Sequence, residues 1–343
     1  MLYSVLRPLL FSLPPETAHR LTLHSLDAAA SAFGGALAPP AIATVPVPAM
    51  GLSFPNRVGL AAGLDKNAAH VDGLSTLGFG FIEVGTVTPR PQPGNPLPRL
   101  FRLPQARALI NRMGFNNEGV ERALANLART RWRGVLGINI GKSFDTPLSA
   151  AAGDYLTCLR KVHSAASYVT VNVSSPNTAD LRTLQQGDAF DALLAALKSE
   201  QAKLASEHGR YVPIAVKIAP DLADAEVAAI ARKLLAHGAD GVIATNTTTS
   251  RAGVAGMRHS QETGGLSGAP LCARSTQVIA LLAAELGGRI PIVGVGGILC
   301  AEDARAKIAA GATLVQIYTG LIYRGPDLVT ELLREFAEAS SRC

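Results

Sequence analysis

The residues best suited to chemistry in this chain are a serine set between amides, two lysines and several asparagines, each following a short apolar run. In Asn172-Val173-Ser174-Ser175-Pro176-Asn177, Ser175 is placed to accept a proton from a bound molecule. A serine hydroxyl is a very weak acid, so this role needs its alkoxide stabilised or its proton passed onward. His163, His208, His237 and His259 fall in stretches that read as helices or loops, so no imidazole is available to activate a serine for acyl transfer. Ser-Ser-Pro-Asn is also an ordinary turn sequence, and its company is what gives it weight.

That company is polar. Asn139, Asn172 and Asn246 end separate apolar runs and Asn111 is expected in a loop; together they offer amide donors and acceptors to a planar, hydrogen-bonding ligand. Lys66 and Lys217 also stand at run ends, where burial of a cation calls for an anionic partner. A carboxylate substrate for one and an electron-rich cofactor for the other would supply it. Val293-Gly294-Val295-Gly296-Gly297-Ile298 and Tyr318-Thr319-Gly320 read as a phosphate cradle of backbone amides, with 264–268 (Gly-Gly-Leu-Ser-Gly) as a flexible flank.

Elements must hold these groups together. From about residue 57, β-rich apolar segments alternate with stretches of helical period. Eight strands are expected, at 57–64, 79–87, 135–142, 168–174, 214–220, 241–247, 290–297 and 314–320, with helices at 118–130, 188–207, 224–237, 270–286, 301–310 and 326–339. Strands buried on both faces and joined by helices form parallel sheets, and eight such units match a closed α/β barrel, the (β/α)8 TIM barrel. Its catalytic groups come from the carboxyl ends of strands, where these polar residues stand. An open dinucleotide-binding sheet fits less well, because Gly59 and Gly63 are followed by Leu64-Asp65-Lys66 and make no glycine fingerprint.

Composition sets the outer bounds. The chain has 343 residues, 48% of them hydrophobic and 17% charged, enough for one large core. A net charge of +6, with basic and acidic residues interspersed, makes nucleic acid a poor partner. Cys158, Cys272, Cys300 and Cys343 have no metal-binding or disulfide spacing, which suits a reducing compartment. No stretch is apolar over the roughly 18 residues needed to cross a bilayer, and no signal peptide is expected. Residues 1–35 read as two short helices separated by Pro14-Pro15, with Pro39-Pro40, Pro46 and Pro48 forming a stiff linker. They suit either a cap packed on the barrel or an amphipathic pair lying on a membrane, with Arg7 and Arg20 facing lipid phosphates.

With these residues assembled, the chain resembles dihydroorotate dehydrogenase, and within it the membrane-associated, quinone-reducing class. The resemblance covers nearly the whole chain and rests on the segments 61–67 (AAGLDKN), 83–89 (EVGTVTP), 111–117 (NRMGFNN), 172–177 (NVSSPN), 217–220 (KIAP) and 244–248 (ATNTT). It implies oxidation of dihydroorotate to orotate in pyrimidine biosynthesis, with FMN as hydride acceptor and ubiquinone or menaquinone as final acceptor. Ser175 would be the catalytic base. Lys66, Asn111, Arg112, Met113, Gly114, Phe115, Asn172, Asn177, Asn246 and Thr247 would bind the substrate. Ala62, Gly63, Leu64, Asp65, Lys66, Thr86, Asn139, Asn172, Lys217 and Thr245 would surround the flavin, with Gly268, Gly297, Tyr318 and Thr319 at its phosphate; no metal is implied. The soluble classes carry cysteine at the base position and lack the helical extension, so Ser175 and the first 45 residues both point to the quinone class. The resemblance further implies a monomer, peripheral on the cytoplasmic face of the inner membrane, with residues 1–45 as quinone and membrane module and 46–343 as the FMN-binding barrel.

Overall fold

The computed structural model describes residues 2–34, 42, 44–178 and 180–340, so Pro39-Pro40 of the expected linker lies outside the described residues. The chain begins with α1 (Leu2–Ser12) and α2 (Pro15–Phe33), then a hairpin of β1 (Val47–Ala49) and β2 (Leu52–Phe54). Pro15 starts α2 where a missing N–H costs nothing. Pro48, expected in the linker, is instead the middle residue of β1.

Barrel units follow. They are β3 (Val58–Leu60) with α3 (Val71–Ser75); β4 (Phe81–Val87), then the excursion β5 (Leu100–Leu103) and β6 (Ala108–Asn111) before α4 (Val120–Leu127); and β7 (Val135–Ile140) with α5 (Ala151–Val162). Next come β8 (Tyr168–Asn172) with α6 (Gly187–His208), β9 (Ile214–Ile218) with α7 (Asp224–Ala236), and β10 (Gly241–Ala244), whose link to α8 (Cys272–Leu286) contains β11 (Gly265–Gly268). The last units are β12 (Ile292–Val295) with α9 (Ala301–Ala309) and β13 (Leu314–Ile317) with α10 (Thr319–Arg324) and α11 (Pro326–Ser340). The eight strands β3, β4, β7, β8, β9, β10, β12 and β13 close into a parallel barrel, as expected from the alternating pattern.

Side chains alternate across a strand, so every second residue points into the barrel. At the amino-terminal end these are apolar: Phe81, Tyr168, Ala215, Ile243, Val293 and Leu314 form one cluster with the β1–β2 hairpin, which closes the floor. Phe54 of the hairpin meets Phe81 edge to face at 5.0 Å. Two glycines make room for the rings: a Cβ on Gly59 would stand 2.3 Å from Phe81, and one on Gly137 2.3 Å from Tyr168. One step further along, the inward residues turn polar. Glu83, Asn139, Lys217 and Gln316 are all buried there.

The strands are shorter than the apolar runs suggested. Their hydrogen-bonded ladders stop at Asn172, Ile218, Ala244 and Val295, and the residues beyond turn their side chains or amides toward the mouth. Thr319, expected at a strand end, begins α10. Asn111, expected in a loop, ends β6, and the glycine-rich flank at 265–268 is not loose but is β11, paired antiparallel with β6. β5, β6 and β11 thus form a small sheet over the carboxyl end of the barrel, joining two of its loops.

The extension is docked on the barrel. The Arg99 guanidinium makes a forked pair with Glu16 of α2, Nε to Oε1 at 3.0 Å and Nη2 to Oε2 at 3.1 Å. Arg102 of β5 donates to the carbonyls of Phe11 and Leu13 at the end of α1. Tyr3 and Arg7 donate to the carbonyls of Ile322 and Tyr323 in α10. Arg7 is therefore spent on the barrel, which corrects its expected outward role; Arg20 is exposed.

Candidate active site at the carboxyl end of the barrel

A cleft with about 1110 Å³ of empty space, its open mouth included, lies at the carboxyl ends of the strands. Ser175, Asn172, Asn177, Asn246 and Thr247 reach it from the β8 and β10 ends, and Lys66, Asn111, Met113, Gly114 and Phe115 from the loops after β3 and β4. Ala62, Gly63, Thr86, Lys217 and Thr245 line its deeper part, and Gly268, Gly297, Tyr318 and Thr319 its far end.

Four of the expected residues stand outside the lining. Arg112 points away, pairing with Glu262 at 2.6 Å and stacking on Phe101 at 4.7 Å from the ring centre. Asp65 turns back to accept the N–H groups of Ala69 at 3.0 Å and His70 at 2.7 Å, which shapes the loop that presents Lys66. Burial raises the Asp65 carboxyl and those backbone donors oppose the shift. Leu64 is packed in the core. Asn139 lies beneath the cleft, where its amide donates to Glu83 at 2.8 Å and its oxygen accepts from Thr86 Oγ1 at 2.6 Å.

Asn139 is one link of a continuous network. Asn172 donates to Thr86 Oγ1 at 3.1 Å, and its own oxygen accepts from Asn246 at 3.2 Å. Below, Glu83 accepts from Tyr168 at 3.0 Å and Gln316 at 2.8 Å. On the opposite wall Asn177 donates to Asn111 at 3.1 Å. These amides are fixed before any ligand arrives, which is how a polar site avoids reorganising during a reaction.

The two lysines behave differently from their surroundings. Lys217 is buried and its ammonium makes no hydrogen bond with any described residue; burial holds that ammonium below the ordinary lysine range, with the Glu83 charge opposing. Lys66, partly open to the cleft, is likewise without a hydrogen bond, and burial pulls it down to about 8, opposed by Glu16. An unpaired buried ammonium is expensive, so both mark positions where an anion belongs. The Gln316 oxygen, also in the lining, has no partner among the described residues. Ser175 is buried, and its Oγ accepts the Asn177 N–H at 3.2 Å.

At the far end, Gly296 and Gly297 adopt φ values of 123° and 74°, and a Cβ on Gly297 would collide with Cys272 at 2.5 Å. Only glycine permits that turn, and it brings bare backbone to the cleft wall. The Thr319 hydroxyl donates to Ser267 Oγ at 2.8 Å, a residue the sequence did not single out. Gln316 was missed for the same reason: each lies inside an apolar or glycine-rich run with no pattern of its own.

A second cleft lies between α2 and the barrel, bordered by Glu16, His19, Arg20 and Leu23, and it shares Lys66, Leu100 and Met113 with the first. Burial, with the Lys66 charge adding to it, pushes His19 down to about 3, so its imidazole is neutral in ordinary conditions. Burial raises Tyr318, in the wall of the first cleft, to about 12.

Comparison with known proteins accords with this geometry. The family model described as dihydroorotate dehydrogenase matches residues 44–339. A relative from Thiobacillus denitrificans, named dihydroorotate dehydrogenase (quinone), is 62% identical over 98% of this chain and 100% of its own length. One of the same name from Chromobacterium violaceum is 63% identical over 98% of each. The crystal structure of the Eimeria tenella dihydroorotate dehydrogenase in complex with ferulenol superposes with a TM-score of 0.86 at 38% identity, covering 96% of this chain and 92% of that one. The chain belongs to the dihydroorotate dehydrogenase family.

Proposed function

We propose that this enzyme oxidises dihydroorotate to orotate in pyrimidine biosynthesis, with FMN as the bound flavin and a membrane quinone as final electron acceptor. The observation that carries the reading is the single cleft that holds a buried serine, two unpaired lysines and a fixed set of amides. The residues present fit a flavin mononucleotide. Lys217 and the unpartnered Gln316 oxygen suit the polar edge of its ring, while the Gly297 turn and Thr319 suit a terminal phosphate.

When bound, the flavin supplies hydride acceptance. The protein does the rest. Ser175 Oγ takes the proton from C5 of the substrate as the C6 hydride leaves, its own proton passing onward to solvent, and the Asn177 N–H donated to that oxygen stabilises its deprotonated form. Lys66 pairs with the substrate carboxylate, and Asn111, Asn172, Asn177 and Asn246 hold the pyrimidine edges. Lys217 stabilises negative charge arriving at the cofactor.

Residues 1–45 serve as the quinone and membrane module and residues 46–343 as the catalytic barrel. Support comes from where apolar side chains are exposed. Among the described residues, five of the nine large exposed ones, Val5, Leu6, Leu9, Leu21 and Phe33, belong to α1 and α2, which is what a helix pair resting in a lipid surface requires. Among the described residues no helix is long and apolar enough to cross a membrane. The attachment is peripheral, on the cytoplasmic face of the inner membrane, and the enzyme is a monomer. Quinone enters through the cleft beneath α2 and reaches the flavin across the wall at Lys66, Leu100 and Met113.

The visible spectrum tests the reading. Purified protein is expected to be yellow and to bleach anaerobically on addition of dihydroorotate, with colour restored by quinone. A folded but colourless protein, or a yellow one indifferent to dihydroorotate, overturns it.

A further inference from the structure

Where α2 meets the loop before α3, at the border of the second cleft, three metal-ligating residues converge to which the proposed reaction gives no chemical role. His24 and Asp27, three residues apart, share one face of the helix, and His70, just before α3, reaches up to them. His70 Nδ1 lies 2.5 Å from Asp27 Oδ2, and the His24 and His70 rings meet nearly perpendicular with centres 5.2 Å apart. One donor atom from each of the three lies within 4.8 Å of the other two. The backbones that carry them are locked together, since a Cβ on Gly73 of α3 would stand 2.4 Å from Asp27 Oδ1. We propose that His24, Asp27 and His70 form a three-ligand site for a zinc-class divalent cation, which clasps α2 to the loop bearing Lys66.

Two imidazoles and one carboxylate are the donor set of a borderline ion such as zinc, not of magnesium or calcium, which prefer all-oxygen shells. Zinc–nitrogen bonds of about 2.0–2.1 Å place tetrahedral ligands about 3.3 Å apart. The exposed His24 ring has the freedom to close that distance. On binding, the contact between His70 Nδ1 and Asp27 Oδ2 gives way to the metal, any proton on Nδ1 leaves to solvent, and water takes the fourth position. The linkage to the clefts is short. The His70 N–H is held by Asp65, which precedes Lys66, and Leu23, beside His24, borders the cleft beneath α2. An ion here fixes the spacing of α2 from the barrel at the wall that the two clefts share.

Equilibrium dialysis of the full-length flavoprotein against zinc, with metal counted by atomic absorption, tests the site directly and needs no activity. One saturable equivalent is expected, weakened at least about tenfold in His24→Ala and in His70→Gln. Zinc should raise the melting temperature of the unaltered protein and leave that of His24→Ala unmoved, while magnesium does neither. His24 is exposed, so its replacement keeps the fold. Absence of saturable zinc binding, or binding of equal strength in His24→Ala, overturns the proposal and leaves Asp27 and His70 as a simple ion pair.

Discussion

At the scale of single residues, the site is defined by groups left incomplete. Among the described residues Ser175 has one backbone donor on its oxygen and no hydrogen bond to an imidazole or a carboxylate, so its value lies in position. Ser175→Ala is expected to slow dihydroorotate-driven bleaching by about 10²–10⁴-fold in stopped flow, with the flavin content unchanged; a rate near that of the unaltered enzyme removes Ser175 as the base. Lys66 adds a pH dependence whose sign follows from its charge. Burial has lowered it to about 8, so it is an ammonium below that pH and neutral above. Pairing with a carboxylate needs the charged form, so kcat/KM for dihydroorotate should hold on the acid side and fall as pH rises through about 8. Lys66→Arg, charged throughout, should abolish that fall in a pH profile even if it lowers the plateau.

At the scale of elements, α1 and α2 join two tasks: polar groups tie them to the barrel while an apolar outer face remains. Leu9, 66% exposed, is on that face. Leu9→Glu is expected to weaken sedimentation with anionic vesicles while dihydroorotate-driven flavin reduction stays intact, and undiminished co-sedimentation would remove α1 from the membrane contact. How much of this was legible in the sequence follows from periodicity. All eight barrel strands and six of the long helices announce themselves, because burial on two faces writes continuous apolar runs and burial on one writes a helical repeat. The sheet of β5, β6 and β11 does not, since strands of four residues containing Arg102, Asn111 or paired glycines carry too little alternation to separate from loop. The residues that line the cleft were readable because family motifs are contiguous in sequence. What motifs cannot give is direction, which is why Arg112, inside the run 111–117, turns out to face Glu262 and Phe101.

At the scale of the whole molecule, the barrel interior runs from an apolar floor to a polar layer and then to the cleft, and glycines set the fit. Gly137→Ala would press a methyl into the Tyr168 ring, and overpacking of this kind costs about 1–3 kcal/mol. A lower melting temperature is expected together with slower turnover, because Tyr168 also donates to Glu83 and so supports the network under the cleft. Unchanged thermal unfolding would show that the floor yields more easily than its packing indicates. The small sheet over the mouth has a dynamic consequence. Since β11 is hydrogen-bonded to β6 from Gly265–Asn111 through Gly268–Ala108, and β6 to β5, two long loops are stitched into one flap. Such a flap opens as a unit or not at all. Amide hydrogen exchange at Leu109, Ile110, Leu266 and Ser267 should therefore proceed at a common rate, and orotate should slow all four together; exchange that diverges between β6 and β11 would mean that the seam parts first. The rhythm of product release would then be set by one cooperative rupture of backbone hydrogen bonds.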